Sequence, residues 1–95
     1  MRAPSALVVG LLPAQAQRVR RALGDRYRLR FVTSEHARSL TQASDINILC
    51  IDWIDHTSEH HLKRKLKPGQ TLHYVRGLDR QVINQLENHQ CQPSF

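Results

Sequence analysis

Polar residues that could bind a ligand follow the apolar runs of the sequence. Gly10 lies within the first apolar run, Asp52, Asp55 and His56 follow the second, and Arg76 follows a third, mixed run. If these runs are parallel strands, their carboxyl ends meet at one end of the sheet, where ligands usually bind. The five residues then form a ligand crevice for a small molecule or a phosphate. A structural interpretation competes with this, because Asp55 can cap a helix and Asp52 can be a solvated strand end.

Histidines offer a second chemistry, metal binding. The chain has six, and His56 and His60 are four residues apart, so a helix places both on one face beside Glu59 and His61. This arrangement supplies two ligands, whereas catalytic zinc usually takes three from the protein, and the HExxH order is absent. Asp52 or another residue would have to be the third. We therefore expect exposed histidines on a polar helix, with no metal and no cofactor.

The cysteines are not arranged for catalysis. Cys50 lies inside an apolar run and is expected to be a small core residue, and Cys91 is far from it in the chain. There is no CxxC pair and no dense disulfide framework, which favours a reducing, cytoplasmic location. The apolar run over 6–12 is too short to cross a bilayer. No nucleophile with a partner base is recognisable, so we predict that the protein is not an enzyme.

Positive charge is the strongest compositional feature of this 95-residue chain. Its 14 Lys and Arg exceed its 8 Asp and Glu, which gives a formal charge of +6 and favours an anionic partner. One basic group, Lys63, Arg64, Lys65 and Lys67, also suits the last turn of a helix. The other group is predicted to bind nucleic acid, and edge protection of a sheet explains it equally well; it consists of Arg18, Arg20, Arg21, Arg26, Arg28 and Arg30.

The apolar pattern predicts four strands that position these residues. The runs 6–12 and 46–51 are continuously apolar, as central strands of parallel sheets are. The run 27–32 alternates apolar and basic residues, and 71–75 is mixed. The last two strands are therefore expected at the edges of the sheet.

Helices are predicted between and after the strands, each begun by Pro or by a side chain that can cap it. The first is expected to stop at Gly24 in a left-handed conformation. An irregular tail is expected over 90–95. The expected helices are 13–23, 34–43 capped by Ser34, 55–67 capped by Asp55, and 79–89 capped by Asp79.

Alternating strands and helices predict one α/β domain over 1–95. Right-handed crossovers give a four-stranded parallel sheet in the order 2-1-3-4 with helices on both faces. This is a truncated flavodoxin-like or receiver-like fold without a fifth strand. With Asp52 after the third strand, the chain resembles phospho-accepting receiver domains. Receivers hold magnesium with acidic residues after strand one, where this chain has Gly10-Leu11-Leu12-Pro13, so phosphoryl chemistry at Asp52 is not expected.

The second half of the chain carries a closer resemblance. The segment Ile51-Asp52-Trp53-Ile54-Asp55-His56 is followed by a basic helix and by the strand Leu72-His73-Tyr74-Val75. This arrangement resembles a family of small bacterial domains of unknown function, which have a Gly-Gly loop after strand one and a Thr-Asp-aromatic-aliphatic-x-His motif after strand three. Ile51 stands where that family has Thr, and Leu11 stands where it has the second Gly. The resemblance implies the same fold and brings no catalytic residues.

These features favour a non-enzymatic basic binding module. Its partner is expected to be nucleic acid first and an acidic protein surface second. One alternative is a protein-interaction or oligomerisation domain that uses the polar third helix, Trp53 and the edge of strand four, in which case a homo-oligomer could form. A second alternative is a metal- or phosphate-dependent enzyme at the crevice between strands one and three.

Overall fold

The computed structural model describes the backbone of residues 4–37, 39–54, 56–77 and 79–91, with their side chains except those of Ser34, Trp53, His89, Gln90 and Cys91. The interpretations of Asp55 as a crevice residue and helix cap, and of the Trp53 side chain as an interaction surface, lie outside these residues. The strands are β1 (Ser5–Val9), β2 (Arg28–Val32), β3 (Ile46–Cys50) and β4 (Thr71–Val75); the helices are α1 (Pro13–Leu23), α2 (Ser34–Ala37), α3 (His56–Lys65) and α4 (Asp79–Cys91).

The four strands form one parallel sheet in the order β2-β1-β3-β4, which confirms the predicted fold class. The continuously apolar runs are the two central strands, and every residue of β3 is buried. Val8 of β1 pairs with Phe31 on one side and Ile48 on the other. The alternating strand β2 and the mixed strand β4 lie at the two edges. A strand at an edge is less completely buried than a central strand and therefore needs fewer apolar residues.

The helices cover both faces of the sheet. On one face, α1 and α4 pack against the side chains of Ala6, Val8 and Ile48. On the other face, α2 and α3 pack against Leu7 and Leu49. This alternation follows from the pleat, which sends successive side chains of a strand to opposite faces. Burying each Leu or Val in these two layers contributes about 1.5 to 3 kcal/mol to folding.

The ends of the first two helices differ from the predictions. Gly24 ends α1 in a right-handed conformation, with φ of −60°, rather than a left-handed one. Glycine still suits this position, because a Cβ atom there would lie 2.5 Å from the carbonyl oxygen of Arg20. α2 stops at Ala37 instead of reaching 43, since few apolar side chains hold that segment to the sheet. The hydroxyl of Thr33, one residue before Ser34, accepts the His36 N–H at 3.2 Å and caps α2.

The last two helices also have different bounds. α3 ends at Lys65, two residues before the predicted end. Asp79 is the first residue of α4 rather than the residue before it, and α4 continues through Cys91. Gln90 and Cys91 are therefore helical, in contrast to the predicted irregular tail over 90–95, and residues 92–95 lie outside the part that the structure describes.

Candidate functional site

At the predicted crevice between the ends of β1 and β3, Gly10 lies close to the end of β3. This residue has φ of +107°, and a Cβ atom there would lie 3.3 Å from both Cβ and O of Cys50 and 3.4 Å from Cγ2 of Ile54. Glycine is required because the backbone is in the left-handed region and the neighbouring strand end is close. Gly10 thus lets the ends of β1 and β3 lie close together.

Asp52 is engaged with the backbone on the other side of β3. It lies in a short 3₁₀ turn, Ile51–Trp53, and its Oδ2 accepts the N–H of Gly77 at 3.2 Å. This bond fixes the chain just after β4, next to the exposed Arg76. The structure therefore brings Asp52 close to the end of β4, while Gly10 lies on the β1 side of β3. The ligand-crevice interpretation of these residues stays a prediction.

Cys50 packs as the sequence predicted. Its side chain is fully buried in the core face covered by α1 and α4. Burial raises the pKa of the thiol to about 11, and the negative charge of Asp52 adds to the effect. The thiol therefore stays protonated at neutral pH and is a poor nucleophile.

A cavity of about 300 Å³ opens between β4 and the start of α3, lined by Ile51, Ile54, His56, Glu59 and Tyr74. It lies at the carboxyl end of the sheet, as expected for a ligand site in this topology, but beside β3 and β4 instead of β1 and β3. Two apolar side chains line part of it, and three side chains with polar groups complete its wall.

The polar wall of this cavity belongs to a group of side chains that neutralise one another, which we call the tyrosine cluster: His56, Glu59, Lys63 and Tyr74. Oε2 of Glu59 lies 3.5 Å from Nζ of Lys63, and its Oε1 lies 3.8 Å from Nδ1 of His56. The Lys63 ammonium lies 5.8 Å from the centroid of the Tyr74 ring. The sequence interpretation missed this cluster, although the spacing of Glu59 and Lys63 by four residues is a known helical ion-pair signal.

The ionisation of the tyrosine cluster follows from these contacts. Hydrogen bonding with Tyr74 and the charge of Lys63 lower the pKa of Glu59. The same tyrosine and the charge of Glu59 raise the pKa of Lys63. Partial burial, followed by hydrogen bonding with Glu59, raises the pKa of Tyr74. Both charged groups therefore stay ionised at neutral pH and offset each other.

The histidines of α3 do not converge on a third ligand. His56 faces Glu59, and the Nε2–H of His61 donates to the carbonyl oxygen of Leu40 at 2.8 Å. His60 is exposed. Within the residues that the structure describes, no group of three His, Cys, Asp or Glu side chains is placed to hold a metal ion.

The basic residues near β2 form a different kind of surface. Arg20 of α1 lies over the ring of Phe31 on β2, with its guanidinium carbon 5.2 Å from the ring centroid. Arg21 and Arg26 are exposed near the end of α1 and in the turn before β2. Arg18 differs from them, because its Nη1 lies 3.6 Å from the Asp79 carboxylate of α4. Arg18 therefore faces α4 rather than β2.

Arg28 and Arg30 lie on the opposite face of the sheet from α1. Arg30 is paired with Leu7, whose side chain packs with α2 and α3, while Leu29 and Phe31 point toward α1. The Nη2 of Arg30 donates to the carbonyl oxygen of Gln42 at 3.4 Å. The six arginines predicted to bind nucleic acid are thus not one contiguous patch on one face. The pleat turns Arg28 and Arg30 to one face of the sheet, whereas Arg20 and Arg21 lie on α1, which covers the other face.

Five of these arginines still surround β2, and we call them the arginine edge: Arg20, Arg21, Arg26, Arg28 and Arg30. Within the parts of the chain that are described, no ion pair reaches Arg20, Arg21, Arg26 or Arg30. The distribution of charge in the sequence agrees with this. Residues 1–44 contain eight Arg and two acidic residues, whereas 45–95 contain six Lys or Arg and six acidic residues. The excess positive charge therefore belongs to the half of the chain that forms β1, α1 and β2.

Comparison with known proteins identified no relative of this chain. No protein-family model matches the chain, and no significantly similar curated protein or solved structure was found. The resemblance to small bacterial domains therefore remains a prediction. Among the helices described, none is long and apolar enough to cross a membrane.

Proposed function

We propose that this protein is a non-enzymatic binding module whose arginine edge docks an anionic macromolecule. The observation that carries the proposal is the set of exposed arginines around β2, set against the neutralised cluster beside β4. Among the described residues, no ion pair reaches Arg20, Arg21, Arg26 or Arg30. Arginine binds phosphate and carboxylate groups through paired N–H donors, so both nucleic acid and acidic protein segments have suitable chemistry.

Two features of the molecule support binding rather than catalysis. The carboxylate of Asp52 accepts a backbone N–H, and the thiol of Cys50 is buried with a raised pKa. The arginines, by contrast, are exposed on both sides of β2, where a partner can reach them. A cytoplasmic location and the absence of an enzymatic role are parts of this proposal.

A matched pair of double variants tests the proposal. R28Q/R30Q removes two positive charges from the arginine edge, and R64Q/K67Q removes two from the exposed end of the α3 region. The probes are a fluorescein-labelled DNA duplex of about 12 base pairs and a labelled peptide that alternates glutamate and valine, each titrated between about 50 and 200 mM salt.

We expect the edge variant to bind at least one probe about tenfold more weakly than the wild type, since two exposed ion pairs contribute up to about 1.4 kcal/mol together. For the duplex, the slope of the logarithm of the binding constant against the logarithm of the salt concentration should fall in magnitude by about two. The control variant should change affinity by less than about twofold. Equal weakening by both variants would show that only net charge matters. Dissociation constants weaker than about 100 µM for both probes would contradict the proposal, since that is the range of background binding.

A second function, oligomerisation through the β4 edge, is favoured by the exposure of Tyr74, whose accessible fraction is 45%. Tyrosine is a common anchor residue in protein interfaces. Sedimentation equilibrium of the wild type and Y74A distinguishes this function. A dimer that dissociates in Y74A supports it, and a monomer at all concentrations contradicts it.

A further inference from the structure

The outer side of β2 exposes backbone groups that can pair with another strand. The N–H of Arg28 donates to the carbonyl oxygen of Pro4, and the carbonyl oxygen of Val32 accepts the N–H of Gly10, at 2.9 and 3.0 Å. Both residues therefore turn their backbone groups toward β1. Because this direction alternates along a strand, Arg30 also faces β1, and Leu29 and Phe31 turn their N–H and C=O groups away from the sheet.

In the described structure, no strand pairs with these outward N–H and C=O groups of Leu29 and Phe31. β2 pairs only with β1, at the end of the strand order. An open edge usually invites unwanted pairing, and charged side chains on it prevent a second copy from adding to the sheet. Arg28 and Arg30 supply that repulsion between two copies of this chain. The same charges attract a strand of opposite sign.

The two faces beside β2 offer different surroundings to the side chains of an added strand. On the α1 face, a groove of about 370 Å³ has a largely apolar lining that includes Leu11, Ala16 and Phe31. On the other face, a groove of about 320 Å³ runs between Arg28, Arg30 and the chain at 42–44. Since side chains of an extended strand alternate between faces, a sequence alternating apolar and acidic residues matches both grooves.

We propose that β2 accepts an acidic, extended segment of a partner protein as a fifth strand of the sheet. The backbone of the segment pairs with Leu29 and Phe31, its acidic side chains meet Arg28 and Arg30, and its apolar side chains enter the α1 groove. This mode of recognition takes affinity from main-chain hydrogen bonds and specificity from alternate side chains. The inference rests on the proposed function, because it assigns a partner class to the same arginine edge.

The test uses the full chain and the labelled peptide that alternates glutamate and valine. Amide hydrogen exchange is followed residue by residue with and without saturating peptide. We expect the N–H groups of Leu29 and Phe31 to become protected by about tenfold or more, because they gain hydrogen-bond partners. The N–H groups of Arg28 and Arg30 should change little, because they already bond to β1.

Two N-methylated peptides give the matched control, one methylated at every glutamate and the other at every valine. Only alternate residues of an added strand turn their N–H groups toward β2, so one peptide should lose binding by about tenfold or more and the other should retain it. Loss with methylated glutamates indicates a parallel strand, and loss with methylated valines an antiparallel one. Equal affinity of the two methylated peptides would overturn the inference.

The DNA duplex separates this inference from the proposed function. If the duplex binds at the arginine edge and the peptide does not, the proposed function holds and the fifth-strand inference fails. If neither probe responds to R28Q/R30Q, both fail. Peptide binding without protection of Leu29 and Phe31 would also overturn the inference, because the contact would then be made by side-chain charge alone.

Discussion

The two edges of the sheet have the same backbone geometry and opposite electrostatic organisation. At the β4 edge, the N–H of Thr71 donates to the carbonyl oxygen of Asp45, so alternate residues, Leu72 and Tyr74, turn their backbone groups outward, as Leu29 and Phe31 do in β2. Near Tyr74, Lys63 is paired with Glu59. Near β2, no ion pair within the described chain reaches Arg21, Arg26 or Arg30. The placement of counter-charges, more than the number of cations, distinguishes a docking edge from a neutralised one.

The edges also differ in how they are attached to the rest of the domain. The buried Asn47 side chain accepts the Ser44 N–H and donates to the carbonyl oxygens of Ser44 and Thr71, at 2.9, 2.7 and 3.0 Å. It therefore fixes the start of β4. Beside β2, the hydroxyl of Tyr27 donates to the carbonyl oxygen of Leu86 in α4 at 2.8 Å. The β4 edge relies more strongly on one polar side chain.

Replacing Asn47 by Ala should have the largest effect on this comparison. The substitution leaves the backbone groups of the buried Ser44 and the carbonyl oxygen of the half-buried Thr71 without the Asn47 side chain, so we expect a loss of about 3 kcal/mol in the free energy of unfolding. Chemical denaturation measures the loss. Y27F is the counterpart near β2 and should cost about 1 kcal/mol. A loss in N47A no larger than in Y27F would contradict the unequal attachment of the two edges.

Alkaline pH should act on the β4 side of the core, where Cys50 pairs with Val75. The pKa of Cys50 is raised from 9.0 to about 11 in the folded chain. The folded state therefore holds this proton more tightly than the unfolded state. The resulting stabilisation, on the order of 2 kcal/mol, is complete below pH 9 and is lost as the pH rises toward 11.

Unfolding of the wild type and C50A over this pH range measures the effect of Cys50. The wild type should lose more stability between pH 9 and pH 11 than the variant, whatever the cost of the substitution at neutral pH. Parallel curves for the two proteins would mean that burial of the thiol does not shift its pKa.

A smaller effect is expected from E59Q, which removes the central carboxylate of the tyrosine cluster. The pKa of Glu59 is lowered in the folded state, so its stabilisation is present above the ordinary glutamate pKa and is lost as the pH falls through the lowered one. E59Q should therefore show a weaker acid dependence of its melting temperature than the wild type. It should also bind the DNA duplex or the acidic peptide slightly more tightly at the α3 side, because Lys63 loses its counter-charge. Unchanged acid dependence would show that the Glu59 contacts do not contribute to stability.

The sequence predicted the sheet because its signals were local and strong. The continuous apolar runs of β1 and β3 and the alternating run of β2 are sufficient to order the strands. The length of α2 was overestimated. The helix ends at Ala37, because the segment after it has few apolar residues whose packing would stabilise further turns. The cap at Thr33 was missed because Ser34, its neighbour, has equal capping chemistry.

The candidate site was harder to predict than the fold. The pleat places Arg28 and Arg30 on one face of the sheet, and α1, which covers the other face, carries Arg20 over Phe31. The sequence alone shows the alternation but not which face each helix takes. Likewise, contact between Tyr74 and Lys63 joins residues of two different elements, and the spacing of residues along one element does not predict it.

The most direct test of the unequal edges is a residue-level map of where a simple polyanion binds. Amide chemical shifts of the isotope-labelled wild type are recorded during titration with a heparin hexasaccharide, which carries sulfates but neither bases nor a peptide backbone. The account predicts that the largest shift changes occur at Arg21, Arg26 and β2, with little change at Glu59 and Tyr74. Larger changes at Lys63 and the rest of α3 than at β2 would contradict it.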